Sequence, residues 1–258
     1  MPASRSSGSG GRGEWPPEAL VRVEVGDGDP LIWACTPSDL EQLTVGWLIC
    51  EGIVHSPGEA KAVEIAEADP AYAARVRVRL APAAQDRLAR TSSLDHDVTL
   101  GPWTHALAAG EGAGLKVVSP EVRALLSDRD GLAELFRSMF AGAALRARVG
   151  GVHTGGLVSG GRLHTVVEDV SRHHVVDRLV GAAAREGRKL EDAVLLLSAR
   201  ISGAMAAKAC RAGVGALATR SVPTELAIRI AAGGGLALVG RARREQPQYF
   251  WPRSEAGP

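Results

Sequence analysis

Between Gly150 and Gly181 the sequence reads GGVHTGGLVSGGRLHTVVEDVSRHHVVDRLVG, setting histidines, arginines and the adjacent acids Glu168 and Asp169 among apolar residues. Such a density of titratable groups is unusual for a core segment. It reads as a site, with carboxylates able to accept from N–H groups and cations able to meet an anion. The elements that position it follow from the same stretch. Gly156 to Val158 reads as a strand, Ser159 to Gly161 as a tight turn and Leu163 to Val167 as the returning strand, since short hairpins need residues tolerant of positive φ. Ser171 then N-caps a helix with Val176, Leu179, Val180 and Ala183 on one face, and on that helix His173 and Asp177, four apart, can meet.

Beyond the hairpin the pattern alternates. Ala193 to Leu197 is a continuous apolar strand, Ser202 to Arg211 a small-residue helix closed by Gly213, and Val214 to Ala218 a strand. Pro223 to Ala232 is a helix before Gly233-Gly234-Gly235, and Leu236 to Val239 a last strand. This β-α-β-α-β order predicts parallel strands with right-handed crossovers. Loops after the carboxyl ends of such strands gather at one edge, together with helix N-termini. Ser198, Arg200 and Ser202 follow the first strand; Arg220, Ser221 and Thr224 the second; Arg241, Arg243 and Arg244 the third. Hydroxyls capping helices and solvated arginines explain any one group. All three at the same edge favour an anion site, phosphate above all.

The 258 residues are enough for one large or two modest domains. No apolar run approaches the roughly 18 residues of a membrane span, and the Ser/Gly/Pro-rich start has no apolar signal core, so the expectation is a cytoplasmic protein without membrane or nucleic-acid partners. Cys35, Cys50 and Cys210 are odd in number and never spaced C-x-x-C, which argues against a disulfide framework or a structural zinc. Net charge is split: residues 1–150 carry 15 Lys plus Arg against 20 Asp plus Glu, whereas residues 151–258 carry 15 against 9. The basic C-terminal part can attract an anionic ligand. No G-x-x-x-x-G-K-[ST] or G-x-G-x-x-G stands at a strand-to-helix junction, nor is there a zinc-deaminase or nucleophile-elbow pattern.

In chain order, residues 1–16 read as a disordered lead. Leu20–Val25 and Leu31–Ala34 predict a hairpin across the turn residues 26–30. Thr36-Pro37-Ser38-Asp39 predicts a helix start with Thr36 as N-cap, followed by a buried stripe of Leu40, Leu43, Trp47 and Cys50 and an end at Gly52. Cys35 and Cys50 are expected to be core thiols. Arg75–Leu80 predicts an edge strand, and 81–114 a long loop in which His96 and His105, with Asp95 and Asp97, are weak metal candidates. Ser119-Pro120-Glu121 opens one helix, and Leu132, Leu135, Phe136, Met139 and Phe140 mark a second. The division expected is an N-terminal α+β domain over 17–118 and a C-terminal α/β domain over 119–258.

The stretch from Gly150 to Gly181 resembles the signature of the FdhD family of formate dehydrogenase accessory proteins, approximately TGGxHxA followed by EDVGRHNAVDKxxG. In the same order SARIS with Lys208, SVPTELAIRIA, LVGRARREQPQY and, near the start, CTPSDLEQLTVGWLICEGIV are similar to further family motifs, so the resemblance spans residues 20 to 250. It implies a cytidine-deaminase-like C-terminal fold, a homodimer, and a sulfur carrier that takes a persulfide from a cysteine desulfurase. The sulfur goes to the molybdenum cofactor in its bis-molybdopterin guanine dinucleotide form before insertion into formate dehydrogenase; GDP is then a possible mimic.

On this resemblance Arg200, Arg220, Arg241 and Arg243 hold phosphate, Glu168 and Asp169 meet the guanine or pterin edge, and His153, His173 and Asp177 order the pocket. Arg172, Ser198, Ser202, Ser221 and Thr224 join them, and the family's C-terminal cofactor segment falls on Arg241-Ala242-Arg243-Arg244-Glu245-Gln246. The departures are Val149, Ser171, His174, Ala199, Ala204 and Arg241, and above all the absence of the family's SxCGxCG. Leu94 and Asp97 stand at its cysteine positions, and neither can form a persulfide. The alternative function is a cofactor-binding chaperone that has lost sulfur transfer; a nucleotide-binding regulatory module is a third class.

Overall fold

The computed structural model describes residues 15–67, 71–90, 108–109, 117–242 and 246–252. The expectations for residues 1–14, for Leu94, Asp95, His96, Asp97 and His105, and for Arg243, Arg244 and Glu245 lie outside the described residues.

The N-terminal segment supplies a four-stranded sheet from β1 (Ala19–Val25), β2 (Leu31–Cys35), β3 (Ala60–Glu67) and β4 (Ala74–Leu80), in the order β2-β1-β4-β3. β1 and β2 form the expected antiparallel hairpin. Alternation buries Val21, Val23, Val25, Val76 and Val78 and turns Arg75, Arg77 and Arg79 outward, where Glu24 and Glu64 meet them. β4 is not the predicted edge strand: it lies between β1, to which it is parallel, and β3, to which it is antiparallel. Its alternation reports which faces are wet and says nothing about its backbone edges.

Helix α1 (Leu40–Cys50) carries the predicted stripe, but its start differs from the expectation. Asp39 is the N-cap, with a left-handed φ of 44° and no side-chain cap bond, while the Thr36 hydroxyl accepts from the Val170 N–H at 3.2 Å. Thr36 is thus drawn to a residue 134 positions away. The predicted long loop begins instead as a helix, α2 (Pro82–Arg90), anchored by buried Ala84 and Leu88 at i, i+4 spacing.

Helices α3 (Pro120–Ser127), α4 (Arg129–Ala141) and α5 (Ala144–Val149) precede the hairpin of β5 (His153–Ser159) and β6 (Arg162–Asp169). Ser171 caps α6 (Arg172–Arg185) as expected. Then come β7 (Ala193–Leu197), α7 (Gly203–Ala212), β8 (Ala216–Thr219), α8 (Glu225–Gly234), β9 (Ala237–Gly240) and β10 (Gln248–Phe250). The six strands form one mixed sheet in the order β10-β9-β8-β7-β5-β6, with β7, β8 and β9 parallel as predicted.

Two apolar layers sandwich this sheet. On one face Val194, Leu196, Ala216, Ala218 and Val239 pack on Val122, Leu126, Phe136 and Met139 of α3 and α4. On the other, Leu195, Leu197, Leu217 and Leu238 join α1, α6, α7 and the inner face of the small sheet in one continuous core. Fully burying each of the Val, Leu, Phe and Met side chains among them contributes about 1.5–3 kcal/mol. Where α1 crosses α6 the backbones nearly touch. A Cβ on Gly46 would strike the Asp177 carbonyl, and one on Gly181 the Gln42 carbonyl. Among the described residues no helix is long and apolar enough to cross a membrane.

Candidate functional site

The exits of β7, β8 and β9 and the entry of β5 meet at one edge of the large sheet, and hydrogen bonds stitch them together. Ser198 and Thr154 bond reciprocally, Ser198 N–H to the Thr154 carbonyl and Thr154 N–H to the Ser198 hydroxyl, both at 2.9 Å. The Thr219 hydroxyl donates to the Ala199 carbonyl at 2.6 Å and accepts from Ser221 N–H at 3.0 Å. Arg241 N–H reaches the Ser221 carbonyl at 2.6 Å, and Ala242 N–H the Thr219 carbonyl at 2.9 Å. Arg241 adopts a positive φ of 52° to make that turn.

Above this platform opens a cleft of about 680 Å³. His153, Ser198, Arg220 and Ser221 line it, together with Phe140, Arg146 and the Gly151-Val152 turn. No carboxylate is among these lining residues. The Arg220 guanidinium lies 4.7 Å from the Phe140 ring centroid and that of Arg146 5.6 Å, so one aromatic ring carries two cations. Arg146 also donates to the Val152 carbonyl at 2.9 Å. Half-burial pushes the His153 pKa below its ordinary value, and the charges of Arg172 and Arg146 push it further down. His153 is therefore neutral at pH 7, and the cleft's positive charge comes from arginine.

The other expected site residues divide differently. Arg200 is exposed and does not line the cleft. Ser202 and Thr224 accept from Met205 N–H at 3.4 Å and Ala227 N–H at 3.2 Å, so both hydroxyls act as helix caps. Gln246 is exposed. The expectation that Glu168 and Asp169 face a ligand is corrected: both turn to the protein's own donors. The Glu168 carboxylate accepts from Leu145 N–H and Arg146 N–H, each at 2.8 Å. Asp169, fully buried, accepts from Arg178 Nε at 2.8 Å, Ser171 N–H at 2.8 Å and Thr36 N–H at 3.4 Å. Burial alone would raise its pKa; His174, Arg178 and the Ser171 amide outweigh burial and hold it low.

Asp177, expected to meet His173, accepts instead from Lys208 Nζ at 2.9 and 3.1 Å, while His173 Nε2 lies 3.3 Å from the Ser202 hydroxyl. Lys208 also reaches Glu51 at 3.0 Å. Burial would lower the lysine's pKa, but the two carboxylates prevail and raise it.

The sequence pattern of the FdhD/NarQ family matches residues 16–255. The chain belongs to the FdhD/NarQ family. It is 32% identical over 226 residues to the sulfur carrier protein FdhD of Bordetella petrii, covering 83% of this chain and 76% of that relative. To the protein of the same name from Xanthomonas campestris pv. campestris it is 33% identical over 216 residues, covering 82% and 74%. The crystal structure of a protein assigned as a formate dehydrogenase accessory protein from Desulfotalea psychrophila superposes with a TM-score of 0.65 at 23% identity, covering 91% of this chain and 86% of that one, a likeness of fold.

For an FdhD/NarQ member the thiols matter. Cys35 is buried, and its pKa is pushed up to about 12, chiefly by burial and then by Asp169. Cys50 is buried too, and burial raises its pKa well above the ordinary thiol value. Both are protonated packing groups at neutral pH. Cys210 is half-buried near the end of α7, roughly 10 Å along the axis from the turn that starts at the strand-end edge. Within the FdhD/NarQ fold the cleft residues that sequence reasoning missed are Phe140, read only as part of a core stripe, and Arg146. Arg146 sits on a six-residue helix with no apolar period to announce it.

Proposed function

We propose that this FdhD/NarQ protein is a formate dehydrogenase accessory protein that binds the guanine-dinucleotide form of the molybdenum cofactor in the strand-end cleft, and that it carries no sulfur on a thiol of its own. One observation carries the reading: among the described residues, two arginines and no carboxylate line the cleft. Its volume of about 680 Å³ falls within the roughly 300–1,000 Å³ of small-molecule sites. Arg146 and Arg220 would hold the pyrophosphate, Ser198 and Ser221 would offer hydroxyls to it, and Phe140 would keep the two guanidiniums in place. The cofactor supplies the redox chemistry of the client enzyme. The work of this chain would be to hold an anionic arm.

The experiment is a calorimetric titration of GDP against wild type and Arg220→Ala. Loss of a charge-assisted contact is expected to weaken binding roughly tenfold; equal affinity in the two would remove Arg220 from the site.

Sulfur transfer with a cysteine desulfurase is the second reading, favoured by the sulfur-carrier name of the relatives. It requires a thiolate, and Leu94 and Asp97 stand where the family's cysteine motif is expected. After incubation with a desulfurase and cysteine, mass spectrometry is expected to find Cys35 and Cys50 unmodified; a persulfide on Cys210 would restore the carrier.

A further inference from the structure

We propose that Glu168 is a positioning residue for the cleft: its carboxylate holds α5 by the N-terminus and so places Arg146 at the cleft wall. The inference rests on the cleft being the anion site proposed above, and it concerns what keeps that wall in place.

Apolar packing does little to hold helix α5. Its six residues are too few for independent stability, since forming the first turn costs more than so short a helix returns. None of its residues is buried, and its N-cap, Ala143, offers no side-chain acceptor. An apolar face is the usual anchor of a surface helix, and a hydroxyl or carboxamide its usual cap. Here both are missing, and the free amides of Leu145 and Arg146 fall to a residue on another element. Glu168 Oε2 accepts from Leu145 and Oε1 from Arg146, both at 2.8 Å, across 23 and 22 residues of sequence. A carboxylate at a helix N-terminus gains from the helix dipole as well as from the two bonds.

The other end of α5 is fixed by Gly150 and Gly151, with φ of 64° and 63°, which fold the chain back so that Val152 presents its carbonyl to Arg146. Arg146 is thereby held twice, by its backbone amide to Glu168 and by its guanidinium to Val152. With Glu168 at the end of β6, the large sheet reaches α5 through this side chain. Leu145 and Glu168 also line a second, smaller cavity of about 320 Å³, so α5 contributes a residue to each of two openings.

Two measurements on the full chain test this. The first is amide hydrogen exchange at Leu145 and Arg146 in wild type, Glu168→Gln and Glu168→Ala. Protection is expected in wild type and lost in Glu168→Ala. An intermediate level is expected in Glu168→Gln, whose single carboxamide oxygen replaces two acceptors. Unchanged exchange in a folded Glu168→Ala would overturn the proposal. The second is a double-mutant cycle read by GDP affinity. Glu168→Ala and Arg146→Ala should each weaken GDP by a similar factor, on the order of three- to tenfold, and together should weaken it no further than either alone. Multiplying effects would assign Glu168 a role independent of Arg146 and would also overturn it. If wild type fails to bind GDP, the cofactor reading falls, while the exchange experiment still decides whether Glu168 holds α5. A variant whose melting curve shows it unfolded is replaced by Glu168→Gln, for which both readouts remain.

Discussion

Two arginine sites of this protein flank the same end of the β5–β6 pair, where His153 lies opposite Asp169, and use the same side chain for opposite ends. At the junction between the small sheet and α6, Arg178 is 2% exposed. It gives Nε to Asp169 and its two terminal nitrogens to the carbonyls of Ser38 and Thr36, each at 2.6 Å. Its charge is matched by Asp169, and each of its three nitrogens has an acceptor within the protein. In the cleft, by contrast, Arg220 is exposed, Arg146 touches a carbonyl and an aromatic ring, and among the described residues no carboxylate lines the wall. What separates a structural arginine from a binding one is the stoichiometry of carboxylates around it, together with burial, and neither is visible in the residue type.

The largest expected effect breaks the junction. Arg178→Ala leaves Asp169 buried without its cation and is expected to cost about 3–5 kcal/mol in urea unfolding; a loss below about 1 kcal/mol would equate the two regions. Arg220→Ala, whose nucleotide titration is described above, is expected to shift unfolding by no more than about 0.5 kcal/mol. The next effect concerns His153. Because burial and the nearby arginines lower its pKa, it is neutral at pH 7 and gains charge only as the pH falls below the ordinary histidine range, where it adds a third cation to the cleft. GDP affinity should therefore rise a few-fold on acidification in wild type and stay flat in His153→Ala. A flat wild-type profile would take His153 out of the cleft's electrostatics. The smallest effect is that of Arg200→Ala: the side chain is exposed and away from the cleft, so GDP affinity should change by less than about twofold.

That last contrast shows how far sequence reasoning reaches. The parallel strands, the hairpin and the capped helices were legible because each is a local pattern of apolar period and turn residues. Convergence of Ser198, Arg220 and Ser221 at one edge followed from topology, and the cleft holds all three. The roles of Glu168 and Asp169 were not legible. Both were identified as chemically competent, but their partners, Leu145 and Arg146 for one and Thr36 and Arg178 for the other, depend on how distant elements meet. β3 and α5 went unread for a related reason. β3 packs only Ala60 and Val63 against the core and leaves Ile65 exposed, and α5 buries nothing. Elements held by backbone pairing or by a remote carboxylate leave little trace in hydrophobic periodicity.

The glycine contact between α1 and α6 has a consequence for how this protein can vary. Gly46 and Gly181 let two helices from opposite halves of the chain share space that any methyl group would need. A shuffled gene that imports a foreign first half must therefore import a matching helix from the second, or the hybrid cannot close.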